Sequence, residues 1–305
     1  MATTTTWNGS ASDGNWDTVS NWSNGVPVAL STVIIDGSEN ISGGQPTAEE
    51  FLQLYVAYTY TGAIGSAGTP LQIDCAQVSF DSTGSSLSCF VDLIGIEHTT
   101  PDVQVDGTNS GFALYLSGAI DRLAIASTMV GKIVLGNSAT FTADIKDLYM
   151  TASGCTIDAS NAANVAWVAG GTILMAGGLI IIAENFGDGG HLTMAGGTLT
   201  VNDWVKIGTT DMITLLGGTI AWNGGNNTFL SSALNSVNIL NVVGGTFSMA
   251  SNQYGYVSFG KIYQFGGIID MESSFANVEV VTTFERFNGE FTPPKQSTIT
   301  TAKLA

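Results

Sequence analysis

A Gly-Gly pair returns through the second half of the chain at Gly177-Gly178, Gly196-Gly197, Gly217-Gly218, Gly244-Gly245 and Gly266-Gly267, and degenerates to Asn288-Gly289. The intervals are 19, 21, 27, 22 and 22 residues. Recurrence at such a period is the mark of a repeat architecture, in which each unit buries its apolar face against the next. Apolar residues keep phase with the glycines. Two residues after the second Gly stand Ile180, Leu199, Ile220, Phe247, Ile269 and Phe291. Four before the first stand Ile173, Leu192, Ile213, Leu240, Ile262 and Phe284, and immediately before it stand Ala176, Ala195, Leu216, Val243, Phe265 and Phe287. Columns of this kind imply that equivalent residues of successive coils stack inside a common core, and all three are assigned to it. The glycines mark a corner, because they permit positive φ and, without a Cβ, let neighbouring turns come close.

A coil near 22 residues with three short faces predicts an all-β parallel β-solenoid, and specifically a right-handed β-helix. Evenly spaced hairpins in a β-sandwich would explain short strands and turns but not three columns in phase. The long interval holds an insertion, Asn223-Gly224-Gly225-Asn226-Asn227, expected to bulge outward. Weaker copies lie upstream: Ser153-Gly154 is followed by Ile157, and Val130-Gly131 by Ile133. The β-helix is therefore assigned to residues 46–292, with its clearest repeats over 120–292. The scarcity of Lys, Arg, Glu and Gln, all good helix formers, agrees with an all-β chain.

Residues 1–45 differ in character, being rich in Thr, Ser, Asn and Gly around Trp7, Trp16 and Trp22. They are read as an N-terminal arm and a Trp-rich cap, since an open solenoid end is a strand edge that must be covered. A sugar-stacking platform is the alternative role for the three tryptophans. Leu52-x-Leu54-x-Val56, Tyr60 to Gly65 and Thr69-Pro70-Leu71-x-Ile73 read as one coil opening the solenoid. Thr47 to Leu52 starts like a capping box but amounts at most to a single helical turn. Thr3 to Thr6 and the tail 293–305 are expected to be arms that order only against a partner.

The string Trp7-x-Gly9, Asn15-Trp16, Asn21-Trp22-Ser23, Pro27, Ile34-Ile35-Asp36-Gly37 resembles the opening segment of phage and bacterial right-handed parallel β-helix proteins of the virion decoration or tailspike type. The resemblance covers residues 7–37. It implies a segment that begins or caps the solenoid, and a chain that belongs to a virion.

Charge narrows the partners. The chain carries 25 acids against 8 bases, a net charge of −17. Phosphate backbones and anionic lipid should repel it, so neither nucleic acid nor membrane is expected as a partner. The start of the chain has no basic n-region or apolar h-region, so a product made in the host cytoplasm without a signal peptide is expected. Cys75, Cys89 and Cys155 lack metal-ligand spacing and read as buried free thiols.

Chemistry is sparse. A glycosidase needs two carboxylates astride one bond, and the candidates are Glu184, Asp188, Asp203, Asp211, Asp270 and Glu272. Asp188 and Asp211 occupy comparable loop positions of adjacent coils. Solvated loop acids are the commoner meaning, as a turn residue is for His191; His98 lies about four coils away. A lyase needs a base and a means of neutralising an acidic sugar, for which Arg122, Arg286, Lys132, Lys146, Lys206, Lys261, Lys295 and Lys303 are too thinly spread. Asp13 to Asp17 lacks the spacing of a calcium loop. Thr198-Leu199-Thr200 does not repeat, which counts against ice binding. No catalytic, cofactor or metal residue is assigned. The expected function is a non-enzymatic bacteriophage capsid decoration (cement) protein. A homotrimer is expected on the major capsid protein or another virion component. The short tail after the last coil favours this over a tailspike. Alternatives are a tailspike that binds or degrades a surface glycan, and a bacterial surface adhesin.

Overall fold

Alternation of apolar and polar residues along short β-branched runs makes each strand two-faced, and stacking in register buries one face of every coil. The result is an all-β parallel β-solenoid. The structure, a computed structural model, describes residues 3–43, 50–81, 88–95, 101–136, 141–160, 165–167, 170–182, 190–201, 212–222, 235–249, 256–271, 277–293, 296–299 and 302–304. Every strand ladder given below is parallel, and the one helical element among the described residues is the 3₁₀ turn Val19–Asn21. The chain divides into two compact units, Met1–Val165 and Ala166–Ala305.

In the first unit each circuit visits three faces. Glu50–Val56 lies on the first, Ile64 bridges Ile41 and Cys89 on the second, and Leu71 to Ile73 pairs with Val91 to Leu93 on the third. The first face builds one inner column from Thr5, Val33, Leu54, Val78, Val103, Leu123 and Leu148, each in register with the next. Trp7, Ile35, Val56, Phe80, Val105, Ile125 and Met150 form a second column beside it, and every member of both is buried. Ile133 and Ile157 stand in register, as the upstream repeats predicted.

The front segment departs from the expected arm. Thr4–Trp7 is a strand paired to Thr32–Ile35, and Thr5 is buried with its hydroxyl donating to the Gly25 carbonyl at 2.9 Å. Thr is a good strand residue, and the adjoining strand offers it a complete row of partners. Trp7, Trp16 and Trp22 are all buried, with Trp22 edge-on to both others at ring distances of 5.2 and 4.6 Å. The Trp22 indole donates to the Trp16 carbonyl at 2.6 Å. Burial removes these rings as a surface for stacking sugars. Of the segment read as a helical turn, the described part begins at Glu50 and is strand.

In the second unit the repeats stack as their phase requires. Ile180, Leu199, Ile220, Phe247, Ile269 and Phe291 are successive register partners, and the first five are buried. Phe291, at the end of the column, is partly exposed and packs against Phe284 with ring centroids 4.7 Å apart. Ile173, Leu192, Ile213, Leu240, Ile262 and Phe284 form a second column, buried throughout.

The third column is a correction: Ala176, Ala195, Leu216, Val243, Phe265 and Phe287 point outward. They stand three residues from the second column, and an odd step along an extended strand lands on the opposite face. The inner place is held instead by the residues one earlier, Met175, Met194, Leu215, Val242 and Gln264, all buried, followed by a partly exposed Arg286. The Gln264 side-chain amide donates to the Glu290 carbonyl at 2.7 Å, and Arg286 donates to the Gly289 carbonyl. The C-terminal tail also departs from the expected arm. Gln296–Ile299 and Ala302–Leu304 both pair in parallel with Asn277–Arg286, covering an edge that would otherwise stay open. The insertion at 223–227 lies outside the described residues.

Substituting Ile220 by Asp should abolish the cooperative thermal transition of the second unit, because an unpaired charge in a dry core costs about 3–5 kcal/mol. Ala221→Asp, one residue away on the outer face, should leave that transition nearly unmoved. Circular dichroism melts of the two variants check the inside-outside assignment.

Candidate functional site

The glycine corner sets the geometry of the outer column. At Gly197, φ is +82° and a Cβ would lie 2.6 Å from the Gly177 carbonyl carbon; at Gly218, φ is +83° and a Cβ would lie 2.5 Å from the Gly197 oxygen. Backbone of one coil rests on backbone of the next, so the residue before each corner repeats at the inter-strand spacing of about 4.8 Å. The outcome is a ladder of side chains along the corner. Leu216, Val243, Phe265 and Phe287 are 49, 47, 48 and 48% exposed, and the two Phe rings stack 5.0 Å apart at an interplanar angle of 1°.

Polar but uncharged columns flank the ladder. On one side stand Thr193, Thr214 and Asn241, and on the other Thr198, Thr219 and Thr246. The corner segments 172–182, 191–201, 212–222 and 239–249 contain no Asp, Glu, Lys or Arg, and His191 is their one ionisable residue. The next two, 261–271 and 283–292, carry Lys261, Asp270, Glu285, Arg286 and Glu290. In a chain of net charge −17, four consecutive uncharged corners form a distinct strip.

The first unit carries a second feature. On its outer face Tyr55, Ser79, Gln104, Ala124 and Tyr149 are successive register partners. A tyrosine closes each end and smaller side chains form the floor, leaving an open depression of about 430 Å³. Asp81 and Asp106 line it from adjacent coils, in register with each other. Asp106 accepts from the Gly107 amide at 2.6 Å and from the Thr128 hydroxyl. Burial first, then the proximity of Asp81, Tyr58 and Asp36, pushes the Tyr55 phenol above its ordinary value, which keeps it a hydrogen-bond donor. No sequence motif marked these residues, because they share position across coils and not residue type.

The residues singled out for chemistry fare differently. Glu184, Asp188, Asp203, Asp211, Glu272 and His98 lie outside the described residues. His191 is exposed at the start of its strand, and Asp270 lies partly exposed on the outer face. Three of the bases are engaged across coils: Arg122 with Asp102 at 3.4 Å, Lys132 with Asp158 at 2.7 Å and Lys146 with Asp121 at 2.8 Å. Burial acts to raise the Asp158 carboxyl, but bonds from Lys132 and Ser160 overcome it and hold the group below its usual range. Asp13 accepts from the Thr18 hydroxyl, the Asn15 amide and the Asn21 side chain, which pins the loop from Asp13 to Asp17. Among the described residues no group of three or more His, Cys, Asp or Glu could hold a metal ion. Comparison with known protein families, with characterised proteins and with solved structures finds no match.

All three thiols are buried, and burial pushes Cys75, Cys89 and Cys155 up to about 12. Desolvation disfavours the thiolate, so these groups stay protonated below that pH and are poor nucleophiles. A thiol-disulfide reagent at pH 7 should label none of them in the folded protein and all three after denaturation. Rapid labelling of the native protein would contradict the burial of these thiols.

Proposed function

We propose that the chain is a non-enzymatic structural protein of a virion: a bacteriophage capsid decoration protein, made in the host cytoplasm and mounted as a homotrimer on the major capsid protein or another virion component. The observation that carries this reading is the uncharged strip along the glycine corners. Extended uncharged surface with half-exposed apolar side chains is what a contact face requires, and it is wasteful on a chain that meets only water. The acidic remainder keeps the assembly soluble and discourages binding to nucleic acid. The opening segment, similar to that of phage β-helical proteins, agrees with a virion origin, and its buried tryptophan cluster suits a cap on the first coil. Parallel crossovers within one sheet are right-handed in nearly all proteins, which favours a right-handed helix.

A second reading, a spike that binds or cleaves a surface glycan, draws on the tyrosine-bounded depression. Two phenols, an amide and two carboxylates are groups suited to sugar hydroxyls, and register-paired acids on adjacent coils are near enough to be considered as a catalytic pair. Tyr55→Ala and Tyr149→Ala separate the readings. A decoration protein should release no reducing ends from host capsule or lipopolysaccharide, and its attachment to particles should survive both substitutions. Glycan binding lost in both variants, or product formation lost in Asp81→Asn, would favour the spike. Sedimentation at micromolar concentration should give a species of three times the 31.6 kDa chain mass; a monomer would overturn the trimer.

A further inference from the structure

We infer that the corner ladder of the second unit is where copies of this chain meet, three ladders packing side by side around an axis parallel to the stacking direction. This deepens the homotrimer reading and rests on it.

The occupant follows from charge. Two chains of net charge −17 repel wherever their acids face each other, so self-contact is least opposed where charge is missing. The four corner segments from 172 to 249 are that place. A basic partner would be drawn to the acidic surface elsewhere and would gain little from threonines and aliphatic groups. The two following corners hold two cations and three carboxylates, near enough to balance that they do not oppose a parallel arrangement.

The number of copies follows from shape and area. The ladder is a single column with rungs about one inter-strand spacing apart, close enough that the Phe265 and Phe287 rings stack on each other. What remains open on each rung is its two flanks. One neighbouring copy covers one flank, whereas three copies around an axis cover both and close the set, as most homo-oligomers do. Four half-exposed side chains offer on the order of 350 Å², short of the roughly 800 Å² per partner in a stable interface. The Thr and Asn columns on both sides must therefore join the contact, and a threefold arrangement engages both. With like rungs at one level, Phe265 and Phe287 of three copies form a single aromatic cluster.

The test uses the full chain with Leu216→Cys, Phe265→Cys and, four residues back along the strand that leads to Phe265, the exposed Lys261→Cys, treated with a short bis-maleimide at pH 7. The native thiols are buried with raised pKa values, so the introduced cysteine is the reactive one. Each ladder variant should cross-link to itself within the sedimenting trimer, and Lys261→Cys, set back from the axis, should not. Val243→Glu should convert the trimer to a folded monomer that keeps its β-sheet circular dichroism and still melts cooperatively, at a lower temperature because the stabilising association is lost. A trimer whose ladder cysteines stay uncoupled would overturn the ladder and leave the trimer standing. A monomeric wild type would overturn both. Coupling only between Ala195→Cys and Phe265→Cys in a mixture would replace the parallel threefold with an antiparallel twofold.

Discussion

Everything in the second unit depends on backbone resting on backbone at the glycine corners. A Cβ at Gly218 would lie 2.5 Å from the Gly197 carbonyl oxygen, so the corner has room for nothing larger than hydrogen. That contact fixes the spacing and phase of each coil on the next, and the amide-to-carbonyl bonds from Thr198 to Gly178, Thr219 to Gly197 and Thr246 to Gly218 hold it at 2.8 to 2.9 Å. Once phase is fixed, strand alternation does the rest. Every second residue goes inward to join a column, and its neighbour is carried outward into a ladder. Inner column and outer ladder are one periodicity seen from two sides.

The first unit reaches the same end without a glycine pair that recurs from coil to coil. Its coils differ in length and corner chemistry, and phase is kept by wide inner residues such as Phe80, Leu123 and Met150 and by cross-coil ion pairs such as Lys132 with Asp158. Irregular corners leave room for surface relief. The depression between Tyr55 and Tyr149 exists because Ser79, Gln104 and Ala124 are smaller than the rings that bracket them. A regular repeat makes a strip, and an irregular one makes a hollow.

Much of this was legible in the chain. The period and two of the apolar columns, from Ile180 to Phe291 and from Ile173 to Phe284, gave the parallel stack and its register. The column from Ala176 to Phe287 has the apolar character of a buried one, but its odd distance from Ile173 requires the other face. The inner column that takes its place, Met175, Met194, Leu215, Val242 and Gln264, lies one residue earlier, and the bond to the Glu290 carbonyl explains how a glutamine fits there. The tail and Thr3 to Thr6 looked like arms because their own apolar content is low, yet a strand at an edge needs only backbone partners. Tyr55, Asp81, Asp106 and Tyr149 come together through register across coils of unequal length, which spacing along the chain does not reveal.

The inner column that begins with Met175 grows polar toward its far end, ending in Gln264 and Arg286, with the Gln264 side-chain oxygen Oε1 buried and without a hydrogen-bond partner among the described residues. In a stack where each coil touches only its neighbours, stability is a local sum and not a property of the whole. The coils around Met194 and Leu215 are then the anchor, and those around Gln264 and Arg286 are the loose end. Breathing and refolding acquire a direction: the stack frays from its polar end inward and re-forms by templating on the coils that remain.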